Sequence, residues 1–417
     1  MELKRVVVTG LGALTPLGKT VESYWQGLVD GVSGCDFIQQ FDATKFKTRF
    51  ACEIKDFDPT TYLDRKEARK IDRFTQLALI ASDEAVKDAG ISRENIDVDR
   101  AGVILGSGIG GLISFQEEVS NFALGDGTPR FNPYFIPKMI LDIAAGQVSM
   151  RHGLRGPNYS VVSACASSTN SIIDAFDTIR LGKADLVITG GSEAVVSASG
   201  IGGFNAMKAL SERNDDPKTA SRPFDKDRDG FVMGEGAGIL VLESLEHALA
   251  RGAKIYCEIA GGGATADAYH LTAPHPEGLG AQNVMLAALK DAGMKPEDID
   301  YINVHGTSTP LGDQAETKAI KKVFGEHVYD LNISSTKSMT GHCLGAAGAL
   351  EALACILAVT KNVIPPTINH FTDDPELDSK LNFTFNKAQY RTVNAALSNT
   401  FGFGGHNASV IVKKYVA

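Results

Sequence analysis

In VVSACASSTNSIIDA, residues 161–175, a single cysteine, Cys165, stands where an apolar extended run gives way to a helical one. A cysteine there is either a small buried hydrophobe or a nucleophile. The second reading rests on position. A thiol at a helix N-terminus faces unpaired N–H groups and the positive end of the helix dipole, which draw its pKa from about 8.5 toward neutrality. Two histidines stand in comparable places: His305 in NVHGTSTP and His342 in SMTGHCLGAAG, each where a strand-like run meets Gly, Ser and Thr. Loop histidines at strand ends are suited to proton transfer or to holding a developing charge. Lys337 precedes His342 and Glu351 follows it on the next helix; taken alone, either reads as an exposed surface charge. LSNTFGFGGHNASV, residues 397–410, is a glycine-rich turn between two strand-like runs, whose bare N–H groups beside Phe403 could hold an oxyanion.

The elements that must position these residues alternate. RVVVTG (5–10), AGVILGSG (101–108), ADLVITGG (184–191) and AGILVLES (237–244) read as buried strands, with helical patterns such as residues 73–90 between them. Alternation of this kind predicts an α/β fold with a parallel sheet. The chain also repeats its own plan. Residues 253–267 parallel 4–16, 299–309 parallel 100–110, and ISSTKSMTGHCLGAAGALEALACILA (333–358) parallels SVVSACASSTNSIIDAFDTIRLG (160–182). Two duplicated halves, 1–252 carrying Cys165 and 253–417 carrying His305 and His342, follow as an expectation. A site between them would gather the three turns.

Composition sets limits. Of 417 residues, 43% are hydrophobic and 22% charged, which excludes a mainly disordered chain, and the net charge of -9 offers no global attraction to nucleic acid. Six scattered cysteines without C-x-x-C pairs predict reduced thiols in a cytoplasmic setting. The apolar run at the N-terminus is too short for a signal sequence. No stretch approaches the roughly 18 uncharged apolar residues of a membrane span, the best being broken by Glu351. Against the negative total, DRKEARKIDR (64–73) places Lys66, Arg69, Lys70 and Arg73 on one helix face, a stripe that an acidic partner would recognise.

Three motifs point elsewhere and are set aside. GSGIGG (106–111), with Asp126 downstream, matches a dinucleotide fingerprint but lies far from the first strand. DKDRDGFVMGEG (225–236) opens like a calcium loop, yet its closing Glu falls one position early and a strand follows. No histidines or cysteines have the spacing of a metal site, so no metal is expected, and with GSGIGG set aside no nucleotide cofactor is expected either.

Together, ACAS around Cys165, VHGTSTPLGD (304–313), SSTKSMTGHCLGAAG (334–348), SNTFGFGG (398–405) and RPFDKDRDGFVMGEGAG (222–238) resemble the β-ketoacyl-acyl carrier protein synthases over essentially the whole chain. The resemblance implies a thiolase-like five-layered αβαβα fold of two similar halves, normally a homodimer. It implies Cys165 as acyl-accepting nucleophile, His305 and His342 as paired histidines, and Lys337 as an orienting charge. It further implies an oxyanion hole from the N–H groups of Cys165 and Phe403, with the Phe403 ring as a gate. Glu351, Ser398 and Asn399 would belong to the supporting network. Ile109, Phe204, Thr307 and Thr309 would contact substrate, and Lys66, Arg69, Lys70 and Lys208 would dock acyl carrier protein. The loop TADAYHLTAP (265–274) is similar to the elongating synthase II branch rather than synthase I. A non-catalytic chain-length partner shares the fold but lacks the active cysteine. One departure is His406, where familiar bacterial relatives carry Thr.

Overall fold

The structure, a computed structural model, describes residues 3–416. Ten strands form one mixed sheet: β1 (Val6–Leu14), β2 (Ala101–Gly106), β3 (Asn158–Val161), β4 (Leu186–Glu193), β5 (Gly236–Ser244), β6 (Cys257–Ala266), β7 (Tyr301–Asn303), β8 (Asn332–Ser334), β9 (Ala395–Gly402) and β10 (His406–Lys413). Their spatial order is β8-β7-β9-β10-β6-β1-β5-β4-β2-β3. Read inward from either edge, the order is the same: third, second, fourth, fifth, then first strand of that half. Only three residue pairs, Val6/Ile259, Val7/Glu258 and Val8/Cys257, join the halves through β1 and β6.

The sheet is not purely parallel, which corrects the expectation from alternation. β2 runs parallel to β3 and β4, and β7 parallel to β8 and β9, but β5 lies antiparallel to β4 and β1. β9 and β10 form a hairpin. β9 and β10 join by a tight turn, and the helix Ala198–Ala206 in the long connection from β4 to β5 does not pack on the sheet, so neither connection is the crossover that parallel pairing requires.

Six helices matter for the site: α1 (Arg73–Ala89), α2 (Leu112–Leu124), α3 (Ser167–Arg180), α4 (Leu279–Ala292), α5 (Pro310–Phe324) and α6 (Ala347–Lys361). α3 and α6 pack on each other and touch strands of both halves, forming the middle layer; α1 covers β1 and β5 outside, and α4, with α5 beside it, covers β6 and β10. Small residues permit these approaches: Gly12 and Gly10 of β1 lie against Ala81 and Ala85 of α1. The segment Leu344–Lys361 is apolar and long enough to cross a membrane, contrary to the sequence expectation, but 89% of it is buried inside the protein. Its apolarity belongs to the core.

The basic stripe does not form one helix face. Residues Arg65–Ala68 make a single turn, Asp72 then caps a new helix, and Arg73 turns inward to the buried Glu235 at 2.6 Å. Lys66, Arg69 and Lys70 stay exposed. Burial of Ala68, Ile71 and Phe74 breaks the run.

Candidate active site

Cys165 sits in the turn between β3 and α3, just before the helix. Ala164 adopts a left-handed φ of 52°. The elbow is tied by the Ser163 N–H donating to Ser167 Oγ at 2.9 Å and Ser167 Oγ donating to the Ala164 carbonyl at 2.6 Å. Asn170 Nδ2 adds a bond to Ser163 Oγ at 2.7 Å. The hairpin β9–β10 presses on this elbow: a Cβ on Gly402 would stand 2.7 Å from the Ser163 carbonyl and 3.1 Å from the Cys165 nitrogen. Only glycine lets the Phe403 N–H reach the Cys165 thiol, which both that group and its own N–H face.

His342 follows β8 and a short helical turn. Its Nε2 lies 3.1 Å from Cys165 Sγ. The His305 ring stands edge-on to it, with centroids 5.2 Å apart at 89°. Lys337 is buried and paired with Glu351 of α6, which also accepts from Thr400 Oγ1 at 3.3 Å. The surface reading of these two charges therefore fails, and the site reading accounts for them. Burial, reinforced by the Lys337 charge, holds both imidazoles well below the ordinary histidine range. Both rings are therefore neutral, with hydrogen-bonding capacity rather than charge.

Burial also decides the thiol. It pushes Cys165 up to about 12, with Glu193 adding to the rise, while Lys337 and the N–H groups of Phe403 and Cys165 pull against it. The expected fall toward neutrality is overturned. At this buried position desolvation of a thiolate outweighs the dipole of α3. The resting pair is thiol and imidazole, and the thiol proton must leave during reaction.

A cavity of about 340 Å³ opens on these groups, and Cys165, His305, His342, Phe204, Phe403 and Lys208 are part of its wall. Thr307 and Thr309 line it too, their hydroxyls 3.0 Å apart. Ile109 lies outside this wall, in the apolar cluster that contains Cys165, Leu344 and Phe204. Lys66, Arg69 and Lys70 do not line the cavity. Asn399 donates to Glu316 at 3.3 Å and accepts from Ser409 at 2.6 Å. Ser398 Oγ is buried without a partner. His406 is exposed, its ring folded over Gly404.

Two buried carboxylates escaped sequence reading. Glu316 on α5 accepts the N–H groups of His305 and Gly306, each at 2.9 Å, and burial pushes it up to about 7. It lies one helical turn beyond Asp313, so helical spacing from the quoted motif could have found it. Glu193, at the end of β4, accepts N–H groups from Gly108, Ile109, Gly110 and Gly345 at 2.7–3.2 Å. It thereby fills the cradle that GSGIGG would offer a phosphate and ties it to the His342 turn. Among the described residues no group of three or more His, Cys, Asp or Glu could hold a metal ion.

The layered fold with paired middle helices is thiolase-like, as in solved ketosynthase structures. A β-ketoacyl synthase from Burkholderia phymatum is 36% identical, with a TM-score of 0.90 over 99% of this chain and 100% of that one. The ishigamide ketosynthase/chain length factor is also 36% identical, with a TM-score of 0.92 over the same shares. A type II polyketide acyl-carrier protein in complex with its ketosynthase matches at 34% identity and a TM-score of 0.90, over 99% of this chain and 100% of that one. Residues 3–248 match the β-ketoacyl synthase N-terminal domain and residues 256–371 its C-terminal domain. The chain belongs to the β-ketoacyl synthase family. It is 51% identical to 3-oxoacyl-[acyl-carrier-protein] synthase 2 of Synechocystis over 100% of this chain and 99% of that one. It is 52% identical to the protein of that name from Staphylococcus aureus over 99% of each.

Proposed function

We propose that this protein is an elongating 3-oxoacyl-[acyl-carrier-protein] synthase of the synthase II type, lengthening acyl chains in fatty acid biosynthesis. The observation that carries the reading is the thiol of Cys165 facing His342 Nε2 at 3.1 Å, with His305 beside it and the Phe403 N–H opposite. In the first half-reaction Cys165 Sγ attacks the thioester carbonyl of an acyl carrier protein. Its proton passes through His342 to the departing carrier thiol, and the oxyanion rests on the N–H groups of Cys165 and Phe403. Once acylated, Cys165 carries no proton, and His342 can present its own N–H. In the second half, malonyl carrier protein loses carbon dioxide as its C–C bond breaks. His305 and His342 donate to the enolate oxygen, and neutral rings suit that task. The enolate carbon attacks the acyl-cysteine, the C–S bond breaks, and the Cys165 thiolate takes up one proton from solvent, the one proton that the decarboxylative condensation consumes.

In this reading Phe403 gates the thiol, while Thr307 and Thr309 bind the carrier's prosthetic arm. Ile109 and Phe204 shape the acyl pocket. Lys337, Glu351, Ser398 and Asn399 support the histidines. Lys66, Arg69, Lys70 and Lys208 dock the acidic carrier protein, an attraction that the exposure of all four favours. The protein acts as a cytoplasmic homodimer of chains whose halves are 1–252 and 253–417. The strand β3 at one edge of the sheet carries exposed Tyr159, exposed Val162 follows it, and Phe115, Phe122 and Ile136 are exposed as well, apolar surface that supports the dimer. The test is a reconstituted reaction. Palmitoyl and malonyl carrier proteins should yield a 3-oxoacyl product two carbons longer, and Cys165→Ser should yield none. Product from the Cys165→Ser protein would refute the reading.

A further inference from the structure

Two thiols outside the catalytic set stand side by side. The short strands Asp36–Phe37 and Phe50–Ala51 pair antiparallel, Asp36 with Ala51 and Phe37 with Phe50. The Ile38 N–H donates to the Arg49 carbonyl at 3.0 Å. Pairs alternate along such a ladder, so Phe37/Phe50 is a non-hydrogen-bonded pair, and the register carried one step past the last pair, Asp36/Ala51, would set Cys35 opposite Cys52 at the next such position. Opposed residues at those pairs have Cα atoms about 4.5 Å apart, within the span of about 4.4–6.8 Å that a disulfide requires. Cys35 and Cys52 lie in one buried cluster with Phe50, Ala220 and Val232, both thiols are free, and the Cys52 thiol faces the Met339 carbonyl at 3.9 Å.

Cys52 also backs the turn that carries His342. Its N–H donates to the Met233 carbonyl at 2.8 Å, and the same segment accepts the His342 N–H at Val232 (2.7 Å) and donates from Gly234 to the His342 carbonyl (2.9 Å). Cys52 Sγ lies only 2.8 Å from where a Cβ on Gly341 would stand, so no slack separates thiol and turn.

We propose that Cys35 and Cys52 are a reversible modification site, closed to an intrachain disulfide by a small-molecule disulfide, and that closure misplaces His342. One thiol attacks the oxidant's disulfide, releasing a thiol and leaving a mixed disulfide; the second thiol displaces the remaining half. Two S–H bonds are lost and one S–S bond forms, and the oxidant departs as two thiols. Access comes from the strands themselves. Two residues each, with Phe37 half exposed, they open locally far more readily than the central sheet. Contraction to an S–S bond of about 2.05 Å draws Cys52 Sγ from the back of Gly341. The effect on the active site rests on the placement of His342 against Cys165 described above.

The test incubates the full-length reduced protein with oxidised glutathione, maps its tryptic peptides, and measures the rate at which iodoacetamide alkylates Cys165. Peptides 20–45 and 50–55 should become joined, and Cys165 alkylation should slow about tenfold as its base moves away. Dithiothreitol should reverse both changes, and Cys35→Ser should show neither; Cys35→Ala serves if the serine variant fails to fold. Peptides that stay separate overturn the site. Joined peptides with unchanged Cys165 alkylation overturn its link to His342. Neither readout uses carrier protein, so failure of the condensing reaction would leave both interpretable.

Discussion

Cys165 Sγ and His342 Nε2 meet at 3.1 Å although 177 residues separate them. One follows β3 and the other β8, the outermost strands of the two halves, so the contact exists only because α3 and α6 pack together in the middle layer. Both groups are neutral at rest, for burial raises the thiol and lowers the imidazole. Reactivity therefore depends on geometry rather than on a standing ion pair.

The two histidines should separate in their effects. His342 touches the thiol; His305 reaches it only through the neighbouring ring. His305→Ala is expected to leave acylation of Cys165 nearly unchanged and to slow condensation by about 10²–10³-fold, the loss typical of one oxyanion donor. Single-turnover rates of adduct formation and of product release check this. Equal losses in both steps would contradict it.

Gly402→Ala should be nearly as damaging as loss of a catalytic group. The added Cβ meets the backbone of Ser163 and Cys165, which cannot swing aside as a side-chain end could. The hairpin must back away, taking the Phe403 N–H with it. A fall in acylation rate of about 10²-fold is expected, with far-UV circular dichroism unchanged.

Lys337 should set the acid limb of the pH profile. Its charge, added to burial, holds His305 and His342 below their usual range. In Lys337→Ala both imidazoles rise toward ordinary values and protonate earlier as pH falls. The acid limb of kcat/KM for malonyl carrier protein should therefore move to higher pH. Glu351, already near 7 with Lys337 helping to lower it, should become neutral in that variant. An unmoved limb would contradict the account.

Away from the site, Glu243 gives a stability prediction. It is fully buried, and although burial alone would raise it, bonds from Arg251, His247 and Thr9 bring it from 4.5 to about 2. A depressed carboxylate contributes stability above its unfolded pKa and loses it as pH falls through the folded value. Glu243→Gln should cost about 3 kcal/mol at neutral pH. The gap between the two proteins in urea unfolding should narrow from pH 4.5 toward 2.

The exposed cations predict a salt-dependent encounter. Lys66→Glu with Lys70→Glu should raise KM for acyl carrier protein about tenfold at low salt, with kcat little changed and the difference shrinking as ionic strength rises. A change confined to kcat would remove these residues from docking.

The site was legible where chemistry demanded a residue type beside glycines: Cys165, His305 and His342 stand out because turns punctuate the chain around them. Phe204, Thr307 and Thr309 were placed through resemblance, and the cavity contains them. The helix proposed for residues 64–73 was not legible, because spacing alone does not reveal that Asp72 caps a new helix and Arg73 seeks buried Glu235. The thiol's pKa was hidden for a related reason: a helix start is visible in sequence, whereas the burial of Cys165 arises from parts of both halves. Glu193 was hidden because it serves backbone N–H groups that only the folded turns bring together, whereas Glu316 was within reach of helical spacing from Asp313.

The central claim is that Cys165 is the acyl acceptor. Intact mass with peptide mapping, after mixing the protein with palmitoyl carrier protein and no malonyl donor, tests it most directly. A palmitoyl adduct on Cys165 alone, absent from Cys165→Ser and discharged as elongated product when malonyl carrier protein is added, is the predicted result. No adduct with primers of any length, or an adduct on another residue that discharges to product, would contradict it.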